Sequence, residues 1–384
     1  MTHRERVMAA LDHRRPDRVP MDLGTARFTG MTKEACRKLC AHLGFGIPGP
    51  TIDRMQQVVA VDETVLRRLD VDARAVSHGP PDKSLDREPE PGVWLDEWGV
   101  GRVQPPGCHY YELRHSPLAG AVSTGDIARY PLPDPTDPGR VRGLREAARQ
   151  LRERTDYAVI FNARFNLVHQ AQYLRGFEDW YTDLARDHSL FTALMEAILQ
   201  HQIELNRRAL REIGDLVDVV AFGDDIGLQD RPVCSLAHYR KLIRPFQERI
   251  VAAIREHTRA RILYHTCGSV YAYIADFIDI GIDALNPVQV SARHMDPARL
   301  KQEFGGRIAF WGGIDTQRVL PYGTPDEVRA EVRRMTGILG EDGGYVLSAV
   351  HNIQPDVPPE NVVALFDAGR ECRSATGAAA GLHS

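Results

Sequence analysis

No run of about 20 apolar residues, the length that a membrane-spanning helix needs, occurs in the 384 residues. The opening stretch, MTHRERVMAALDHRRPDRVP, has no apolar segment of the kind that heads a secretory signal, so the expected location is the cytoplasm. Cysteine is sparse. Six thiols (Cys36, Cys40, Cys108, Cys234, Cys267 and Cys372) do not make the dense framework of a small secreted protein and are expected reduced. Cationic residues are not in excess either: 48 Lys+Arg stand against 52 Asp+Glu, a net charge of −4, which argues against a surface built to coat nucleic acid. No G-x-G-x-x-G or G-x-x-x-x-G-K-[ST] loop follows any apolar run, so the phosphate cradles of nucleotide-binding open sheets are missing.

What is present is a rhythm. From about residue 139, helical segments alternate with short β-branched runs: YAVIFNA, VDVVAFGDD, RILYHTCG, IDALNPVQV, RIAFWGG and YVLSAVHN. Strand, helix, strand at this spacing implies βαβ units and a parallel sheet. Adding the run RVPMDL and one or two strands in the first half gives about eight, so the expected fold is a single (β/α)8 TIM barrel over 1–384. An open sheet with a helical N-terminal domain is the alternative. The N-terminal extension reads as a helix at about 2–12, with a second helix beginning near Thr32 and helical periodicity again at 62–70. Residues of about 80–135 are dense in Pro, Gly and charge and read as an irregular insertion holding a short hairpin around Trp94 to Val103. The small, polar tail at about 373–384 is expected to fray. Cys36 and Cys40, four apart on one helical face, are expected as buried small residues. Phe165, Tyr173, Trp180 and Tyr181 have helical spacing and are expected in the core, and the charge-rich helices at 139–155 and 324–337 read as solvated faces.

Each strand is apolar through its body and turns polar at its C-terminal end. Asp22 ends the first; Asn162 and Arg164, Asp224 and Asp225, His265 and Cys267, Asn286 and Gln289, Asp315 and Gln317, and His351 and Asn352 follow on the others. In a barrel these ends share one mouth, where active sites are built. His265 and Cys267 are the sharpest pair. Strand side chains alternate with period two, so His-x-Cys puts imidazole and thiol on one face, a set that suits zinc. His351 is the third ligand chosen, leaving one tetrahedral position for substrate or water. The plainer reading is a hydrogen-bonded histidine beside a small buried cysteine. Adjacent Asp224 and Asp225 point apart, so one is expected to face the mouth as base, acceptor or oxygen ligand, and the other to cap a segment or hold a loop arginine. With Asp22 they are the candidate catalytic acids. Asn162, Arg164, Gln289, Asp315 and Asn352 are the candidates for holding substrate.

YHTCGSVYAYIADFIDIGIDALNPVQ, FWGGIDTQRVLP, GGYVLSAVHNIQPDVPPENV and the N-terminal MTHRERVMAALDHRRPDRVPMDLG resemble the uroporphyrinogen decarboxylase superfamily, particularly its methyltransferase branch. The resemblance implies a single-domain (β/α)8 barrel and, in the methyltransferases, zinc held by a His-x-Cys and a distant third ligand. By that likeness His265 and Cys267 become zinc ligands. The chain is then expected to move methyl groups between a methylated donor or corrinoid (cobalamin) protein and a thiol or folate acceptor. The thiol methyltransferases place a Cys where this sequence has His351. The decarboxylases carry a histidine in a similar motif, use no metal, and grip their substrate with an arginine-rich N-terminal segment; here GTARFTGMT offers Arg27 alone. Two further readings follow: a metal-free decarboxylase in which Asp22 or Asp224 stabilises a protonated ring and His351 binds carboxylate, and a noncatalytic corrinoid-protein partner. No D-x-H-x-x-G segment is present, so a corrinoid is expected on a separate chain. The other expected partners are a small-molecule methyl donor or acceptor and a second copy in a homodimer, with neither nucleic acid nor membrane.

Overall fold

Short runs of Val, Ile, Leu and aromatic residues, buried on both faces, form seven parallel strands: β1 (Ala73–Ser77), β2 (Ala158–Asn162), β3 (Val219–Gly223), β4 (Arg261–His265), β5 (Ala284–Asn286), β6 (Ala309–Trp311) and β7 (Tyr345–Val346). Each pairs with its neighbour in sequence. The computed structural model describes residues 1–372, so the tail at about 373–384 lies outside the described residues. Among the described residues no helix is long and apolar enough to cross a membrane.

The run RVPMDL closes the sheet. Met21 bridges Leu347 in parallel fashion, Asp22 N–H donates to the Leu347 carbonyl at 2.9 Å, and Leu347 N–H donates to Pro20 at 2.8 Å. On the other side Asp72 N–H donates to the Met21 carbonyl at 2.9 Å. Residues 20–22 therefore join the two edges left by β1 and β7, and the expected (β/α)8 architecture holds, with an eighth strand much shorter than its sequence run.

Asp72 holds this closure. Its carboxylate is fully buried (0% exposed) and accepts from Met21 N–H at 2.7 Å, Arg6 Nη1 at 2.6 Å and Arg18 Nη1 at 2.7 Å. Arg6 lies on α1 (His3–Leu11), a helix begun by a Thr2–Glu5 capping box. Through that ion network the closing segment and α1 are fixed to β1 together. Val7, Ala10 and Leu11 of α1 pack into the barrel against Ala73, Ala158, Ala221, Ala284 and Ala309. The alanines leave the interior room that α1, Phe28 and Trp311 fill.

The insertion is more regular than expected. Besides the hairpin of Val93–Leu95 and Gly101–Val103, strands Arg87–Glu90 and Glu112–His115 complete a four-stranded antiparallel sheet. Arg-Glu-Pro-Glu is exposed along its whole length, so no apolar alternation marked it as a strand. Trp94 anchors the sheet, donating from its indole to Asp86 at 3.1 Å with the Arg54 guanidinium 4.8 Å from its ring. Cys36 and Cys40 are buried side by side on helix Lys33–Leu43, where burial pushes the Cys36 thiol up to about 12. Phe165 and Trp180 are core residues, and Tyr173 and Tyr181 are half-buried and pack against the core, with the Arg102 guanidinium 4.3 Å from the Tyr173 ring.

Removing one partner of a buried ion network leaves charge uncompensated. Asp72→Asn is expected to lower unfolding free energy by about 3–5 kcal/mol in chemical denaturation. A loss below about 1 kcal/mol, the scale of a surface pair, would contradict this account of closure.

Candidate metal centre at the barrel mouth

β4 ends on His265, and the parallel register sets it opposite Asn286, the last residue of β5. His265 Nδ1 and Asn286 Oδ1 are 2.5 Å apart, and Asn286 Nδ2 donates to the Trp311 carbonyl at 3.0 Å. The amide nitrogen is thus spent on the backbone, its oxygen must accept, and His265 carries its proton on Nδ1. The Nε2 lone pair is left facing the thiol, with Cys267 Sγ at 3.5 Å. Phe28 stacks on the imidazole at 4.2 Å. His351, beyond β7, brings its ring to 6.0 Å from that of His265. Ligand atoms of His265, Cys267 and His351 all lie within 4.8 Å of one another.

This donor set fits zinc. Bonds of roughly 2.0–2.3 Å in a tetrahedron put ligand atoms roughly 3.5 Å apart, the separation of the His265–Cys267 pair. Burial holds both histidines below their ordinary value, His265 at about 4, so at neutral pH each imidazole is in the ligating form. Burial and the neighbouring Asp225 push the Cys267 thiol well up. Its thiolate needs a cation beside it, and a bound metal supplies one.

The acid pair divides as the alternation requires. Asp225 faces the cluster: Oδ1 accepts from Cys267 N–H at 2.7 Å and lies 3.5 Å from His265 Nε2, and Oδ2 lies 3.8 Å from His169 Nε2. Asp224 turns the other way and accepts from Val168 and His169 N–H, each at 3.0 Å, capping α2 (Leu167–Arg175). It caps that helix, and burial pushes its carboxyl up to about 6.

Several residues expected to hold substrate are committed elsewhere. Asn162 spans the loop after the closing strand, donating to the Thr25 carbonyl at 3.0 Å and accepting from Arg27 N–H at 3.2 Å. Gln289 accepts from Gly268 N–H at 2.7 Å, and Asp315 accepts from Gln317 and Arg318 N–H in its own turn. Asn352 accepts from Gly30 N–H at 2.7 Å and donates to Gln56, tying the His351 loop to the closing segment. Asp22 is buried, accepting from Thr25 Oγ1 at 2.5 Å and Trp311 Nε1 at 2.7 Å. Arg164, in contrast, lines a cavity.

Two cavities, one of them lined by His351, lie beside the insertion. One, of about 500 Å³, is walled by the insertion and α2 and includes His169 and Arg164. The other, of about 530 Å³, includes His351 with Tyr110, Tyr111, Tyr173 and Phe177. They share Met55, Gln56, Arg102 and Tyr173. Phe28, His169 and the insertion aromatics were not found from the sequence. They lie outside the strand-end pattern, and nothing in their own neighbourhoods signals a site.

Residues 115–372 match the family model described as "Uroporphyrinogen decarboxylase (URO-D)". Proteins named uroporphyrinogen decarboxylase are among the relatives. That of Pseudomonas aeruginosa is 26% identical over 279 residues, covering 68% of this chain and 73% of its own length. That of Methylococcus capsulatus is 30% identical over 136 residues, 35% of this chain and 37% of the relative. The match to that relative, and to the one from Chlorobium phaeobacteroides (28% identical, 41% of this chain), spans about two fifths of the relative's length. A solved structure described as a "methyltransferase from Methanosarcina mazei" superposes with a TM-score of 0.68 at 19% identity, covering 97% of this chain and 99% of its own, which shows a shared fold.

The capping assignment has a pH signature. The unfolded Asp224 carboxyl titrates near its ordinary 3.8, and the buried one near about 6. Between those values the folded state binds more proton, so this group's contribution to stability falls as pH rises. Stability of the native chain minus that of Asp224→Asn is expected to drop by about 2 kcal/mol from pH 4 to pH 7. A difference that is flat or rises with pH would contradict it.

Proposed function

The chain belongs to the uroporphyrinogen decarboxylase family, and within that family we propose that it is a zinc-dependent methyltransferase of a corrinoid-linked demethylation system. It moves a methyl group between a methylated donor or methyl-corrinoid protein and a thiol or folate acceptor. The observation that carries this reading is the convergence of His265, Cys267 and His351 within 4.8 Å at the barrel mouth.

Those three residues would hold the metal. Zinc, when bound, would supply Lewis acidity at an open position, lowering the pKa of an acceptor thiol or polarising the heteroatom of a donor. Asn286 fixes the His265 tautomer, so that Nε2 and not Nδ1 is the ligating atom. Asp225 holds the Cys267 backbone and lies against both His265 and His169, which sets the loop that carries the thiol. Phe28 covers one face of His265 and limits water there. Methyl transfer is an in-line displacement, and the cavity lined by His351 gives a methyl-transfer partner an approach to the cluster.

The decarboxylase activity in the relatives' names is the second reading, favoured by the arginines around the cavity of about 500 Å³. Their pairing speaks against it. Arg54 faces Glu88, Arg102 faces Asp96, and Arg140 and Arg164 share Glu97. Among the described residues Arg27 has no acid partner, and one free guanidinium with a shared pair is a poor match for a substrate bearing many carboxylates.

Freshly purified protein is expected to contain about one zinc per chain. His265→Ala and Cys267→Ala should each abolish both metal and methyl transfer, and Asn286→Ala should weaken metal affinity by about 10–100-fold. His351→Cys should retain zinc. Stoichiometric zinc in the His265→Ala/Cys267→Ala double variant would overturn the ligand assignment. Chelator-insensitive release of CO₂ from a pyrrole carboxylate would install the decarboxylase reading in its place.

A further inference from the structure

The insertion delivers a hydroxyl to the neighbourhood of the ligand cluster. Strands Gly101–Val103 and Glu112–His115 set Val103 opposite Glu112, which leaves QPPGCHYY, residues 104–111, as the tip of a hairpin. Pro106 and Gly107 turn the chain there, with Gly107 at φ +80° and Cys108 N–H donating to the Pro105 carbonyl at 3.1 Å. Tyr111 pins the tip: its N–H donates to the Met55 carbonyl at 2.9 Å, and its ring meets Trp94 edge-on at 5.8 Å. Tyr110 is thereby held in the wall of the cavity of about 530 Å³ that His351 also lines.

The polarity of the Tyr110 hydroxyl is set by its neighbour. Gln354 Nε2 lies 2.5 Å from the Tyr110 hydroxyl oxygen and 2.8 Å from the Asn352 carbonyl. A carbonyl can only accept, so the amide atom between the two is the nitrogen, and the phenol oxygen receives one of its protons. The proton of Tyr110 itself then has no acceptor among the described residues. Burial pushes this phenol up to about 12, and the Cys267 sulfur is among the neighbours that raise it, so the hydroxyl keeps its proton at neutral pH. The other tyrosines of the cavity are engaged differently: the guanidinium groups of Arg54 and Arg102 lie 5.6 Å and 4.3 Å from the rings of Tyr111 and Tyr173.

We propose that Tyr110 is a catalytic residue of the mouth, its hydroxyl donating a hydrogen bond to the sulfur of a thiol partner held beside His265, Cys267 and His351. The inference rests on reading the mouth as a methyl-transfer site, and it names the acceptor of that site as a thiol. A methylated donor and a folate nitrogen are neutral, whereas a thiol reacts as an anion, and a donor without an acceptor favours the anion most. In the transfer the thiolate sulfur supplies the electron pair for the new bond to the methyl carbon. The bond from that carbon to its carrier, a methyl-corrinoid or a methylated donor, breaks with its pair left on the carrier. Tyr110 keeps its proton throughout. Its hydrogen bond is strong to the thiolate and weak to the thioether product, so it holds the acceptor in line and lets the methylated sulfur leave.

Calorimetric titration of the full-length protein loaded with cobalt(II), an ion suited to the same nitrogen and sulfur ligands, tests this with ethanethiol and ethyl methyl sulfide. The two probes share a chain and differ in whether the sulfur can carry charge. Tyr110→Phe keeps the ring and removes the donor. It should weaken ethanethiol by about tenfold and ethyl methyl sulfide by no more than about twofold. Equal affinity of ethanethiol for native and variant protein, or an equal loss for both probes, would overturn the assignment. Gln354→Leu carries the test if Tyr110→Phe does not fold, because it removes the group that orients the hydroxyl. Ethanethiol should then weaken by about threefold or more, and an unchanged affinity would contradict the proposal. Cobalt content, measured before each titration, separates the two levels of the reading. Protein that takes up no cobalt would sink the metal centre and the role of Tyr110 with it. Cobalt-loaded protein whose thiol affinity ignores Tyr110 would overturn that role and leave the metal centre standing.

Discussion

The carboxylate of Asp72 is the constraint on which the rest of the molecule depends. It takes hydrogen bonds from Met21 N–H, Arg6 and Arg18, so one buried charge fixes the first strand, the N-terminal helix and the closing segment to one another. The segment it closes leads directly into the loop of residues 23–31, which touches the candidate site at three places. Phe28 stacks on His265, the Thr25 carbonyl and Arg27 N–H bind Asn162, and Gly30 N–H binds Asn352 beside His351. The fold's closure and the placing of the ligand cluster are one structural event.

From that clasp the chemistry follows by register. Parallel strands deposit their terminal residues at one rim, and the pairing of His265 with Asn286 turns that rule into a defined tautomer. Period-two alternation then carries Cys267 to the same face, and Asp225 secures its backbone. Burial keeps the imidazoles neutral and leaves the thiol dependent on a cation. The donor set that the proposed metal would use is thus a consequence of strand geometry and desolvation.

The barrel strands from 158 onward were legible because they are continuous apolar runs ending in polar residues, and the meeting of His265, Cys267 and His351 was legible because alternation and strand ends are local signals. The strand at Ala73–Ser77 was harder to read, since ARAVS places Arg74 amid the apolar positions; its guanidinium binds Glu63 and lies 3.6 Å from the Tyr157 ring. The outer strands of the insertion were hidden by their exposure. Polarity at a strand end did not distinguish residues that meet a ligand from residues that hold a loop, so Asn162, Gln289, Asp315 and Asn352 were assigned to substrate although their hydrogen bonds go to the protein. Only long-range contacts reveal that difference.

X-ray absorption at the zinc edge of the purified protein tests the central claim most directly. The account predicts a four-coordinate ion with one sulfur at about 2.3 Å, two imidazole nitrogens at about 2.0–2.1 Å and one further light atom. A spectrum with oxygen neighbours alone, or with no sulfur in the coordination shell, would contradict a centre built from His265, Cys267 and His351.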